Sequence, residues 1–106
     1  MRGGWLIGTA ALLAVCVAPL RAEEPVTVES LDRPVQLLGF WFAAPASASS
    51  PIAPAVVMLH GCGGAYDRAG RLSERLRGYA KLLNDHGVHA LVLDSLTPRG
   101  EREICT

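Results

Sequence analysis

Two stretches of this chain, AVVML at 55–59 and VHALVL at 88–93, run without regular apolar–polar alternation. That pattern suits strands covered on both faces, as in a parallel sheet, rather than strands with one wet face. Between them lies a helix-like segment. Ser73 is placed to cap a helix over Glu74–His86, and Gly87 is placed to end it. Leu72, Leu76, Tyr79, Ala80 and Leu83 fall at helical spacing and form one apolar stripe. Strand, helix and strand in this order make a βαβ unit with parallel strands.

Upstream, Val26–Glu29 alternates apolar and polar residues, and Val35–Phe42 (VQLLGFWF) is rich in strand formers. Asp32-Arg33-Pro34 between them reads as a turn, so the two strands are expected to pair as a hairpin. Pro45–Pro54 (PASASSPIAP) is small, polar and proline-rich, and reads as a surface connection. There is no internal repeat. The expected fold class is α/β, with a leading antiparallel hairpin followed by one βαβ unit.

The chain begins differently. A basic start at Arg2 leads into an apolar run over residues 5–20, closed by Leu20-Arg21-Ala22 before Glu23-Glu24. That is the layout of a secretory signal, with cleavage expected after Ala22. The run is shorter than the ~20 residues that cross a bilayer, which argues against a retained anchor. Leu13-Ala14-Val15-Cys16 resembles a lipobox and gives a lipoprotein as the lesser alternative, since Val15 stands where that motif has Gly, Ala or Ser. The organisation is therefore a signal peptide at 1–22 and a mature chain at 23–106, exported to the periplasm or secreted, with membrane contact only through the signal.

Charge narrows the function. The 106 residues carry ten basic and ten acidic groups. Loss of Arg2 and Arg21 with the signal leaves a mildly acidic mature chain, unlike a nucleic-acid binder with its basic face. Cys62 and Cys105 remain, and in an oxidising compartment two thiols invite a disulfide.

His60-Gly61-Cys62-Gly63-Gly64 follows the first buried strand directly. It fits no phosphate loop: neither G-x-G-x-x-G nor G-x-x-x-x-G-K-[ST] is present, and the helix starts too far downstream. It fits no nucleophile elbow either, because His60 stands where G-x-[SC]-x-G needs glycine. No histidine follows Asp94, and His86 and His89 read as solvated or packed residues. His60 and Cys62 alone are too few ligands for a closed zinc site, so neither metal nor cofactor is expected. An oxyanion hole is the better fit, with a tight strand-exit turn that carries no chemistry as its alternative. Glycine lets main-chain N–H groups approach a carbonyl oxygen that gains charge during acyl transfer, and a loop at the carboxyl end of a parallel strand lies where α/β sheets bind ligands.

Residues 54–106 (PAVVMLHGCGG… DSLTPRGEREICT) resemble the dienelactone hydrolase family of the α/β-hydrolase superfamily, above all in HGCGG and in DSLTPRG–REIC. The resemblance implies a doubly wound, mostly parallel sheet with strands 55–59 and 88–93 adjacent. It implies that Gly61 and Cys62 offer oxyanion-hole N–H groups and that His60 shapes the loop. It implies hydrolysis of a small-molecule ester or lactone through a Ser or Cys nucleophile, an acid and a histidine. Those three groups lie downstream of this region in the family, and no G-x-[SC]-x-G occurs here. The chain is accordingly expected to be the N-terminal part of such a hydrolase, truncated before the elbow and inactive alone. Cys62 and Cys105, each just past one of two adjacent strand ends, are expected to bridge. Asp94 precedes the elbow position and is not taken as the triad acid. The rival reading is a small secreted, non-catalytic binding module, disulfide-stabilised.

Overall fold

A computed structural model describes residues 23–46 and 52–106. The proposed signal peptide and lipobox, and the middle of the 45–54 connection, lie outside the described residues. Four strands and one helix follow the order β1 (Glu24–Glu29), β2 (Gln36–Phe42), β3 (Ala55–Leu59), α1 (Glu74–Asp85) and β4 (His89–Asp94), with a short 3-10 turn at Thr97–Arg99. They form one mixed sheet in the order β1-β2-β4-β3. β1 and β2 pair antiparallel, β2 and β4 antiparallel, and β3 and β4 parallel. The architecture is therefore mixed α/β, with the hairpin docked through β2 onto β4. Among the described residues no helix is long and apolar enough to cross a membrane.

The hairpin turn is held by Ser30 N–H donating to the Val35 carbonyl at 3.1 Å, with a cis Arg33–Pro34 bond inside it. Arg99 donates to both carboxylate oxygens of Asp32, at 2.8 and 2.9 Å, and so ties this turn to the chain after β4. The Ser30 hydroxyl, then Arg99, hold the Asp32 carboxyl below its ordinary 3.8.

Helix α1 starts where the sequence puts a cap, the Ser73 hydroxyl accepting from Leu76 N–H at 3.4 Å. It ends at His86, and Gly87 takes φ 74°, a left-handed angle that favours glycine. The Asn84 side chain donates to the carbonyls of Phe42 and Val88, at 3.1 and 2.9 Å, pinning the helix end to the end of β2.

The core lies under α1, on one face of the sheet. Ala65, Leu72, Leu76 and Val92 are buried together, with Phe40, Phe42, Met58 and Tyr66 packed around them. Tyr79 departs from the expected apolar stripe and is 56% exposed. The larger correction concerns β3. Double-sided burial is expected from AVVML, yet Val57 and Leu59 are 57% and 73% exposed. β3 is the outer strand, and alternate residues point to the face that carries no helix.

Leu76→Ala is expected to cost about 2–4 kcal/mol in urea unfolding, since it empties the centre of a small one-sided core. Asp32→Asn is expected to lower stability at neutral pH. A lowered carboxyl pKa contributes stability above its ordinary value and loses it as pH falls through the folded value. The difference between Asp32→Asn and the parent protein should therefore vanish in acid; an unchanged gap there would exclude the linkage.

Candidate functional site

Because β3 and β4 are parallel, their carboxyl ends lie together, and the residues that follow each strand meet. His60 follows β3 and Ser95 follows β4. Ser95 N–H donates to His60 Nε2 at 3.1 Å, with the Ser95 hydroxyl 3.0 Å from the same nitrogen. A backbone N–H can only donate, so Nε2 is the acceptor and the ring proton resides on Nδ1. Nδ1 then donates to the Gly61 carbonyl at 2.8 Å. That carbonyl also accepts from Gly64 N–H at 3.0 Å. In a trans peptide the C=O and the following N–H point in opposite directions. Fixing the Gly61 carbonyl on the His60 side therefore turns the Cys62 N–H away from it.

The N–H groups of Gly61, Cys62 and Gly63 make no hydrogen bond among the described residues, and all three residues are exposed. A side chain at Gly61 or Gly63 would meet no atom within 4 Å, and neither has a positive φ. The fold itself thus has no need of glycine at these two positions. Gly64 is different: its φ is 79°, and a Cβ would stand 2.3 Å from the Arg102 carbonyl oxygen. The C-terminal segment presses on the loop at that point.

Two further links hold that segment. Cys62 and Cys105 form a disulfide with Cα atoms 5.0 Å apart, and Ile104 N–H donates to the Cys62 carbonyl at 2.8 Å. With its sulfur in this bond, Cys62 has no thiolate to offer as a nucleophile. A cavity of about 660 Å³ lies between Tyr66, Asp67 and Arg68 on one side and Thr97, Arg102 and Glu103 on the other, with Gly63 at its edge. A depression of about 370 Å³ on the helix side meets His60, Gly61, Arg75 and Tyr79.

Asp94 underlies the site without entering it. It is fully buried, and its Oδ1 accepts from Leu96 and Thr97 N–H at 3.1 Å each, which shapes the turn after β4. Its Oδ2 is buried and makes no hydrogen bond among the described residues. Burial first, and the nearby Asp94 charge second, raise the Tyr66 hydroxyl above its ordinary pKa. Asp67 closes the adjoining turn, accepting from Ala69 and Arg71 N–H at 2.8 and 3.0 Å. The Arg71 N–H leads in holding its carboxyl below the ordinary 3.8.

The other histidines stay away from the loop. His89 opens β4, at the opposite end from the glycines, and its Nδ1 accepts from Ala44 N–H at 2.8 Å. His86 caps α1, with Nδ1 2.9 Å from the Leu82 carbonyl. Among the described residues no three His, Cys, Asp or Glu side chains group to hold a metal ion. Ser95 was not singled out from sequence. Its only signal is its place directly after the second parallel strand. The Asp67 turn had a clearer signal, an Asp three residues before Gly70.

Reduction should expose two additional thiols per chain in a thiol titration of the unfolded protein. It should also lower stability by about 4 kcal/mol, because the bridge closes a long loop, with a sequence separation of 43. No gain of thiols on reduction would exclude the bridge.

No family model matches the chain, and neither a curated protein nor a solved structure matches it.

Proposed function

We propose that residues 60–64 are the oxyanion-hole loop of an exported, dienelactone-hydrolase-like α/β hydrolase, and that this chain is its N-terminal part. The observation that carries the reading is the row of unpaired N–H groups at Gly61, Cys62 and Gly63, beside a Gly61 carbonyl held from two sides. In acyl transfer a nucleophile adds to the ester or lactone carbonyl, and the oxygen takes up negative charge. Gly61 and Cys62 N–H would meet that oxygen, with no reorganisation because His60 and Gly64 already fix the peptide between them. One such donor contributes roughly 10²–10³ in rate in enzymes of this type. The free space around Gly61 and Gly63 supports close approach of a substrate to the main chain. No G-x-[SC]-x-G occurs in these residues, so the nucleophile is not theirs to supply. The disulfide agrees with an oxidising destination.

The competing reading, a disulfide-stabilised binding module, draws on the cavity between Arg68 and Arg102, whose wall is the disulfide-held segment. Titration with methylphosphonate, followed by amide NMR, separates the two. The oxyanion reading expects the largest shifts at the Gly61 and Cys62 amides, and a reduced response in His60→Ala. Shifts confined to Arg68, Thr97 and Arg102 would favour the binding module. The chain by itself is expected to show no active-site-titratable hydrolysis of p-nitrophenyl acetate; a burst of one equivalent would contradict that.

A further inference from the structure

The stretch DSLTPRG at 94–100 folds back on itself. Asp94 Oδ1 gathers the N–H groups of Leu96 and Thr97, Arg99 N–H donates to the Leu96 carbonyl at 2.8 Å, and Gly100 leaves the turn at φ 78°. This return brings the Arg99 side chain to Ser95, whose carbonyl accepts from Nη1. The rest of the guanidinium faces the hairpin turn. Nη2 donates to both Asp32 oxygens and, at 3.2 Å, to the Ser30 hydroxyl, while Nε donates to Asp32 Oδ2 at 3.2 Å. Ser95 is thus held at both ends, its carbonyl by Arg99 and its N–H and hydroxyl by His60. Asp32, Arg99, Ser95, His60 and the Gly61 carbonyl form one unbroken run of contacts. It starts at the hairpin turn and ends on the peptide that carries the Cys62 N–H.

We propose that Arg99, anchored by Asp32, is a positioning residue for the glycine loop, acting through Ser95 and His60 on the direction of the Cys62 N–H. The purpose of that positioning rests on the oxyanion reading; the contacts themselves do not. An exposed ion pair ordinarily contributes little, because both side chains are free to move. Here the guanidinium is fixed through all three of its nitrogens and its side chain is 33% exposed. Asp32 is oriented in turn by the Ser30 hydroxyl. The planar fork lets Nη1 meet the carbonyl while Nη2 and Nε meet the carboxylate, which a lysine ammonium cannot reproduce. Without this grip Ser95 is free to shift, and its N–H is the donor that keeps His60 Nε2 unprotonated. A ring protonated on Nε2 instead would turn a bare Nδ1 toward the Gly61 carbonyl, and that contact would be lost.

Nitrogen NMR of the His60 ring, with amide NMR during methylphosphonate titration, tests this on the full chain. The parent protein should show a protonated Nδ1 and a bare Nε2. Arg99→Ala, Arg99→Lys and Asp32→Asn should each draw the two ring signals together as the tautomers mix. Each should also weaken methylphosphonate binding, read at the Gly61 and Cys62 amides, by about 2- to 30-fold. Asp32→Asn is the sharpest arm and, being isosteric, the one that keeps the test open if Arg99→Ala fails to fold. Removing a carboxylate would by charge alone strengthen anion binding, whereas the network weakens it. Glu29→Gln is the control: it breaks the Arg33–Glu29 pair of the same hairpin without touching Arg99, and should behave as the parent does. Unchanged His60 signals in Arg99→Ala and Asp32→Asn would overturn the proposal. So would tighter methylphosphonate binding in Asp32→Asn, or an equal response in Glu29→Gln, which would report a loosened hairpin. A parent protein with no methylphosphonate shift at Gly61 and Cys62 would overturn the oxyanion reading instead, and the His60 signals would still decide the network.

Discussion

The parallel pairing of β3 with β4 is the constraint on which the rest of the molecule depends. It brings two strand ends, and hence His60 and Ser95, to one place. The helix that links the strands must cross back over the sheet, so it lands on one face and sets where the core forms. The hairpin docks through β2 on the free edge of β4, in antiparallel register, and leaves β3 as the outer strand. The His60–Ser95 contact of the glycine loop follows from this order.

His60 acts in that setting as a two-sided connector. One ring nitrogen reads the position of β4 through Ser95, and the other fixes the peptide after Gly61. The tautomer follows from the main-chain donor, so the loop's orientation is coupled to the strand pairing. The disulfide adds a second, covalent tie from the same loop to the segment after β4. The loop is held on both flanks by its own chain, while three of its N–H groups make no hydrogen bond among the described residues.

Much of this was legible in the sequence because local chemistry carried it. Ser73 and Gly87 mark the two ends of α1 to within a residue, and β3 coincides with AVVML. The hairpin followed from strand formers around Asp32-Arg33-Pro34. What failed was burial. An apolar run predicts cover on both faces, but cover depends on what else packs against the strand, and that is not a local property. Val57 and Leu59 are exposed because alternation turns them to the face opposite α1 and β3 has a neighbour on one side only. For the same reason the His60–Ser95 contact, which links residues 35 apart, had no local sign. The glycines were legible as a loop, but which of them the fold needs was not. Only the approach of the Arg102 carbonyl separates Gly64 from Gly61 and Gly63.

The Cys62–Cys105 bond encloses α1 and β4 in a covalent loop. Under a stretching force applied to the two ends, tension would run from β3 through the sulfurs directly to Thr106. The helix and the central strand would bear none of it along their own backbone. The hairpin and β3 would be drawn out while the enclosed segment remained coiled, so the chain has a mechanically shielded part and a sacrificial one, divided at the glycine loop.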